Sequence, residues 1–320
     1  MSEIKVLITG PIPEAGIELL RKKGYKLDLN NKDQALSHEE IAQRAKNVHA
    51  ILPLLSDKID RDILSRAREL KVIANYAVGY NNIDIEFARS RGIMVTNTPD
   101  ILTPATADLT WALILAVTKR VVEGDRFVRK GLFEGWKPQL LLGGDVSGKT
   151  LGIIGAGRIG QAVGRRAVGF NMPILYFSRS RKEQFEQETG ARKVGLDQLL
   201  QDSDIISLHC PITEETHHLL NTDNIFTIKK GAYLINTARG AVIDEQALVQ
   251  ALQQKHLAGA GLDVYEFEPK VNPALLSMNQ VVLLPHLGSG TVETRNEMAR
   301  MAARNVISVL ETGRALNPVF

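Results

Sequence analysis

Along this chain, short runs of aliphatic and β-branched residues alternate with longer stretches whose apolar residues recur every three or four positions. The runs at residues 4–8, 25–29, 50–52, 72–75 and 94–96 predict strands. The stretches at 13–23, 38–46, 60–67 and 84–91 predict the amphipathic helices between them. Strands and helices that alternate in this way build a parallel, doubly wound sheet, because each parallel pairing needs a crossover. A second series begins at residue 100. Residues 104–118 predict a long, mostly apolar helix with at least one face buried against another domain or subunit. Residues 132–145 form a loop bearing Gly, Trp and Pro, and strands follow at 150–154, 174–177, 205–209, 232–236, 259–264 and 281–284. A last helix, at 291–312, is expected to return and pack on the first domain. The fold class is α/β with two doubly wound parallel-sheet domains. The first covers 1–99 and is completed by 290–320; the second covers 100–289.

Composition narrows the partners. At 320 residues, with 44% hydrophobic residues, the chain can fill two cores. No apolar run approaches the ~20 residues that span a bilayer. The segment Met1-Ser2-Glu3-Ile4-Lys5-Val6-Leu7-Ile8-Thr9-Gly10 reads as a strand entering a turn, with no long apolar region and no cleavage site. The single cysteine, Cys210, leaves no intrachain disulfide and suits a reducing cytoplasm, the expected compartment. A net charge of +3 with scattered cations argues against nucleic acid or a membrane as partner and is compatible with small anions. No metal-ligand spacing occurs, so no metal is expected, and there is no G-x-S-x-G elbow.

The first chemical signal is Gly155-Ala156-Gly157-Arg158-Ile159-Gly160, directly after an apolar strand and opening a helix at 161–168. Gly155 permits a tight turn, Gly157 lets a pyrophosphate approach the backbone, and Gly160 brings helix and strand close. The helix N-terminus then supplies N–H groups to phosphate. At the end of the next strand, an NAD enzyme usually carries Asp or Glu for the ribose hydroxyls. Here Ser178-Arg179-Ser180-Arg181-Lys182 stands instead. Hydroxyls and cations there suit a 2′-phosphate, so NADP(H) is preferred and NAD(H) remains usable. A solvated basic turn that tolerates either cofactor is the alternative.

Reducing a 2-keto acid requires a cation for the carboxylate, a proton donor at the carbonyl oxygen, and a group that keeps the donor protonated. Three strand ends offer these groups: Arg239 after 232–236, Glu268 after 259–264, and His286 after 281–284. A guanidinium grips a carboxylate through two hydrogen bonds, and a neighbouring carboxylate favours a charged imidazole. His209, His217, His218 and His256 have no comparable setting and read as structural.

The glycine turn, Asn236-Thr237-Ala238-Arg239-Gly240, Ala260-Gly261-Leu262-Asp263-Val264 with Glu268-Pro269, and Pro285-His286-Leu287-Gly288-Ser289 together resemble the D-isomer-specific 2-hydroxyacid dehydrogenase family. The resemblance spans essentially the whole chain. It implies a flavodoxin-like substrate domain and a Rossmann nucleotide-binding domain. It also implies Arg239 as the carboxylate and carbonyl anchor, His286 as acid/base and Glu268 as its partner. Within that family the chain is most similar to the glyoxylate/hydroxypyruvate reductases, through Asn75-Tyr76-Ala77-Val78-Gly79-Tyr80, residues 97–103, Gly135-Trp136-Lys137-Pro138 and residues 178–182. By that similarity, the N–H groups of Val78 and Gly79 meet the substrate carboxylate, with Leu55 and Ser289 nearby. Cys210, Pro211, Thr237, Ala238, Asp263 and Gly288 surround the nicotinamide and its ribose. A homodimer is implied, in which Trp136 either reaches the partner's active site or simply packs in the interface.

Other members of the fold remain as alternatives. Phosphoglycerate dehydrogenases share the core, but many carry a further regulatory domain, whereas this chain stops at Phe320. Formate dehydrogenases use a different residue where Glu268 stands. Dinucleotide-sensing corepressors of the C-terminal-binding-protein type would be scaffolds rather than enzymes.

Overall fold

The computed structural model describes residues 3–32 and 34–320, so Met1 and Ser2 of the N-terminal run lie outside the described residues. The chain forms two compact units. One runs to Leu102 and resumes at Ser289–Phe320; the other is Thr103–Gly288.

The first unit is built from β1 (Lys5–Ile8), α1 (Glu14–Lys22), β2 (Lys26–Leu29), α2 (His38–Ala45), β3 (Ala50–Leu52), α3 (Arg61–Arg66), β4 (Val72–Ala74), α4 (Ile85–Ser90) and β5 (Met94–Thr96). Polar side chains set the helix starts: Ser37 and Glu40 form a reciprocal capping box on α2, Asp60 caps α3, and Asp84 caps α4. The strands pair in parallel in the order β2-β1-β3-β4-β5, the flavodoxin-like winding. On one face Leu7, Ile51 and Ile73 are fully buried against Ile41, Ile63 and Leu64 of the helices.

The second unit begins with α5 (Thr103–Thr118) and α6 (Val121–Arg129). Then follow β6 (Leu151–Ile154), α7 (Arg158–Ala167), β7 (Ile174–Phe177), α8 (Glu183–Thr189), β8 (Arg192–Lys193), α9 (Leu196–Asp202) and β9 (Ile205–Leu208). It closes with β10 (Tyr233–Asn236), α10 (Glu245–Gln253), β11 (Gly259–Leu262), α11 (Pro273–Leu276) and β12 (Val281–Leu283). Its seven strands run β12-β11-β10-β9-β6-β7-β8, all parallel. The order reverses between β6 and β9, and at such a switch point a crevice opens beyond the strands' carboxyl ends. The apolar helix α5 covers β10, β11, β12 and α7 of its own unit. Ala107, Trp111, Leu113 and Ile114 of this helix are buried in the core of its own unit. Trp111 of α5 donates to the Val163 carbonyl at 3.0 Å and stacks on Phe170.

The final helix, α12 (Val292–Thr312), starts at the Thr291 cap and ends at Gly313. It lies against α1 and β4 of the first unit.

Candidate active site

At the end of β6 the chain turns through Gly155, whose φ of +96° is open to glycine alone among common residues. A Cβ there would strike the backbone of His209 and Cys210, so the strand-to-helix turn is seated directly on the end of β9. A Cβ on Gly160 would collide with the Gly155 carbonyl, whereas one on Gly157 would meet nothing. Ala156 is buried and Gln161 holds its carbonyl at 3.0 Å. The helix opens at Arg158, three residues earlier than the pattern suggests, with Gly157 as N-cap and no side chain capping it. Uncapped N–H groups facing open space beside Gly157 fit a dinucleotide pyrophosphate.

At the end of β7, Ser178 is half-buried and Arg179 and Ser180 are exposed. Lys182 donates to the Ser180 hydroxyl at 2.8 Å, which leaves that hydroxyl's own hydrogen to give. Arg181 is paired with Glu186. Glu215, on the loop after β9, has its carboxyl held below the usual range, first by the Thr213 hydroxyl and, more weakly, by the Arg179 charge. The loop 213–216 thus stands near the same strand end, a neighbour that sequence spacing does not reveal.

The three catalytic candidates all belong to the second unit. Asn236 shapes the turn that presents Arg239: its side chain donates to the Arg239 carbonyl at 2.9 Å and accepts from the Ala238 N–H at 3.0 Å. Thr237 shares a hydroxyl–hydroxyl bond of 2.9 Å with Thr110 of α5. Burial lowers the Arg239 guanidinium from its ordinary value, and Glu268 counters this, so the two charges are close. An arginine stays protonated regardless.

His286 is held at φ +55°, a left-handed backbone that costs a non-glycine residue about 1 kcal/mol or more. Its N–H reaches the Asp263 carbonyl at 3.0 Å, and the Leu287 N–H reaches the Asp263 carboxylate at 2.6 Å. The ring Nδ1 meets Glu268 Oε2 at 2.9 Å. Partial burial alone would push the Glu268 carboxyl up. The hydrogen bond and charge of His286, the Tyr265 N–H and Arg239 together outweigh burial and hold it down. Asp263 is fully buried and its carboxyl is pushed up by that burial, with Oδ2 lacking a hydrogen-bond partner. Gly288 lies beside Oδ2, and its carbonyl accepts from Thr106 at 2.8 Å. The orphaned Asp263 oxygen and the uncapped α7 N-terminus follow β11 and β6 of one parallel sheet, so both lie along its carboxyl edge, and an extended dinucleotide could use both.

Leu55, Val78, Gly79 and Ser289 belong to the first unit. There Asn75 donates to the Gly79 carbonyl at 2.7 Å, and Asn97 donates to that of Val78 at 2.8 Å. Asn82 donates to the carbonyls of Leu54 and Asp57 and exchanges a bond with Asn75. One amide network therefore fixes both loops. Trp136 is 83% exposed.

The structure also gives a setting to His218, read from the sequence as structural, and adds two carboxylates that the sequence did not single out. Glu245, Glu266 and His218 gather behind the Glu268 turn, with His218 Nε2 at 2.7 Å from Glu266. Among the described residues, no cluster of His, Cys, Asp and Glu could hold a metal ion, and no helix is long and apolar enough to cross a membrane.

Residues 111–288 match the family model described as D-isomer specific 2-hydroxyacid dehydrogenase, NAD binding domain. The chain is 50% identical over 308 residues to the glyoxylate reductase of Thermococcus litoralis, covering 95% of this chain and 93% of that one. A crystal structure of a Thermus thermophilus protein superposes with a TM-score of 0.94 at 45% identity, over 99% of this chain and 100% of that one. The NADPH-dependent glyoxylate/hydroxypyruvate reductase of Sinorhizobium meliloti, solved with NADP and malonate, gives 0.89 at 34% identity, over 99% and 97%.

Proposed function

Since this chain belongs to the D-isomer-specific 2-hydroxyacid dehydrogenase family, we propose that it reduces small 2-keto acids with NAD(P)H, taking glyoxylate to glycolate and hydroxypyruvate to D-glycerate. The observation that carries this reading is the 2.9 Å pairing of His286 Nδ1 with Glu268, with Arg239 close enough for its charge to act on the same carboxylate. The relatives named glyoxylate reductase supply the substrate class.

NAD(P)H, when bound along Gly155–Gly160, supplies the hydride. Arg239 holds the substrate carboxylate and polarises the keto oxygen, drawing electron density away from the carbon that receives the hydride. The backbone N–H groups of Val78 and Gly79, with Leu55 and Ser289, are the first unit's own candidates for holding substrate. Because Glu268 occupies Nδ1, Nε2 of His286 is left to give its proton to the new alkoxide. Glu268 compensates the imidazolium before that transfer and keeps the ring oriented after it. Cys210, Pro211, Thr237, Ala238, Asp263 and Gly288 line the nicotinamide side.

Cofactor preference follows from the end of β7. Ser178 and Ser180 donate to a 2′-phosphate and Arg179 pairs with it; residues 178–182 carry no carboxylate to repel it, although Glu215 of the neighbouring loop competes for the Arg179 charge. NADPH is therefore preferred with measurable NADH activity, in line with the NADPH-dependent Sinorhizobium reductase. The functional unit is a homodimer, with Trp136 in the interface. Steady-state rates with glyoxylate and hydroxypyruvate, each with both cofactors, test the whole reading. Replacing Ser178 by Asp together with Arg179 by Ala is expected to reverse the preference, chiefly by raising the NADPH KM. A parent enzyme that favours NADH tenfold would remove the phosphate-site assignment and leave the reductase standing.

A further inference from the structure

The turn that carries Glu268 is held from behind by groups the reaction does not use. Its centre is the Tyr265–Glu266 peptide. A Cβ on Gly240, the neighbour of Arg239, would run straight into that peptide, so the Arg239 turn packs directly on it. The Tyr265 N–H donates to Glu268 Oε1 at 3.0 Å. The Tyr265 hydroxyl donates to the Leu284 carbonyl at 2.9 Å, two residues before His286. Burial, and then the charges of Asp263, Glu268 and Glu245, push that phenol up to about 12, so it keeps the proton it donates. The Arg239 turn, the Glu268 carboxylate and the strand end before His286 thus all bear on Tyr265, the first residue of that peptide.

That peptide is fixed in turn by a reciprocal exchange with α10. The Glu266 N–H donates to the Glu245 carboxylate at 2.7 Å, and the Glu245 N–H donates to Glu266 Oε2 at 3.1 Å. Asp244 already caps the N–H groups of Gln246 and Ala247, so Glu266 takes the N–H of the helix's first residue that Asp244 leaves over. The other Glu266 oxygen meets His218 Nε2 at 2.7 Å. Both oxygens of this nearly buried carboxylate are therefore satisfied, one by helix and one by imidazole. Two carboxylates this close cost energy wherever they are buried, and burial pushes the Glu245 carboxyl up, with Glu266 and Glu268 adding to it. A turn that needed only to be stable could use a neutral pair here at lower cost.

We propose that Glu266, clamped between the α10 N-terminus and His218, is a positioning residue that sets the distance between Glu268 and His286. This rests on the reductase reading above. Glu266→Gln keeps the shape but removes the charge. Its NH2 group must face either the Glu245 N–H, losing that bond, or His218 Nε2, which must then change from donor to acceptor; either way the charged clamp is weakened. The expected result is a fall in glyoxylate kcat of about tenfold, as for a small misplacement of reacting groups. The NADPH KM stays within about twofold, and the alkaline limb of the kcat profile moves to lower pH, as in Glu268→Gln but by less. The decisive comparison is the double variant Glu266→Gln with Glu268→Gln. If Glu266 acts through Glu268, the double variant is no slower than Glu268→Gln alone. Losses that multiply, or a Glu266→Gln enzyme with an unshifted profile, would overturn the proposal. Should Glu266→Gln not fold, His218→Ala and His218→Gln carry the test. The alanine variant is expected to show the same loss and shift, and the glutamine variant, which still donates to Glu266, to recover most of both. Recovery absent, or no loss with alanine, counts against the clamp. A parent that turns over neither keto acid with either cofactor would overturn the reductase reading instead. The clamp is then read without substrate, from the His286 ring titration by NMR in parent and Glu266→Gln: a shifted titration supports it and an identical one refutes it.

Discussion

Arg239 and Glu268 divide the work at the reacting centre in ways that single substitutions separate. Arg239→Ala removes the carboxylate anchor and the carbonyl polariser together. A loss of about 2.7–4 kcal/mol of transition-state stabilisation, roughly 10²–10³-fold in kcat/KM, is expected. An alanine variant within a few-fold of the parent on glyoxylate would show that the guanidinium does neither job. Glu268→Gln acts more gently, because an amide still bonds the ring but brings no charge to stabilise the imidazolium. Reduction by this variant should fail at a lower pH than in the parent. The opposite sign is expected at the acid end. The Glu268 carboxyl is held below its ordinary value despite burial, chiefly by His286, so the parent pair stays intact well into the acid range. A pH–rate profile that superposes on the parent's would break the pairing. These roles were legible in the sequence because each residue closes a strand, and strand ends in such sheets gather at one edge. Glu245, Glu266 and His218 were not legible. Their meeting depends on the packing of α10 and the 218 loop against the turn after β11, residues far apart in sequence with no shared motif.

Among the helices, α6 is the exception. None of its nine residues is buried, although Val121 and Val128 lie on it at 55% and 58% exposure. The segment that follows exposes Leu132, Phe133, Trp136 and Leu142 as well. A monomer rarely leaves so much large apolar surface in one stretch of chain. The chain is therefore expected to sediment as a dimer at micromolar concentration. Phe133→Glu with Trp136→Glu should shift it toward monomer while leaving the far-ultraviolet dichroism unchanged. A double variant that still sediments with the parent would place the interface elsewhere. Element boundaries elsewhere follow local chemistry, as the Ser37, Asp60, Asp84 and Thr291 caps show. β8 escaped the hydrophobic pattern because it is two exposed charged residues, Arg192 and Lys193, paired to β7 through the backbone alone. The start of α7 escaped it too, since Arg158 and Ile159 are placed by the glycine turn rather than by an apolar stripe.

For the molecule as a whole, one buried histidine ties folding to pH. His209 ends β9 beneath the glycine turn, where Ser207 meets its Nε2 at 2.8 Å and burial drives its pKa down to about 3. The unfolded imidazole takes a proton near pH ~6.5, whereas the folded one refuses it. Stability contributed by this residue is thus full above pH ~6.5 and is lost as the solution is acidified toward the folded value. The slope is about 1.4 kcal/mol per pH unit, or about 2 kcal/mol by pH ~5. Urea unfolding of the parent and His209→Gln from pH 7 to 5 isolates the term, because glutamine does not titrate. Parallel curves for the two would refute it.

By itself the sequence determined the alternation of strand and helix, the glycine turn and the strand-end chemistry. Each is written in local periodicity, or in residue types that a short backbone geometry demands. Only the tertiary structure decided the strand orders, with their reversal between β6 and β9, and the burial of α5 within its own unit. It also decided the left-handed backbone of His286 and the carboxylate clamp behind Glu268. Those features arise from contacts between segments distant along the chain, and hydrophobic pattern and local propensity do not specify which distant segments meet.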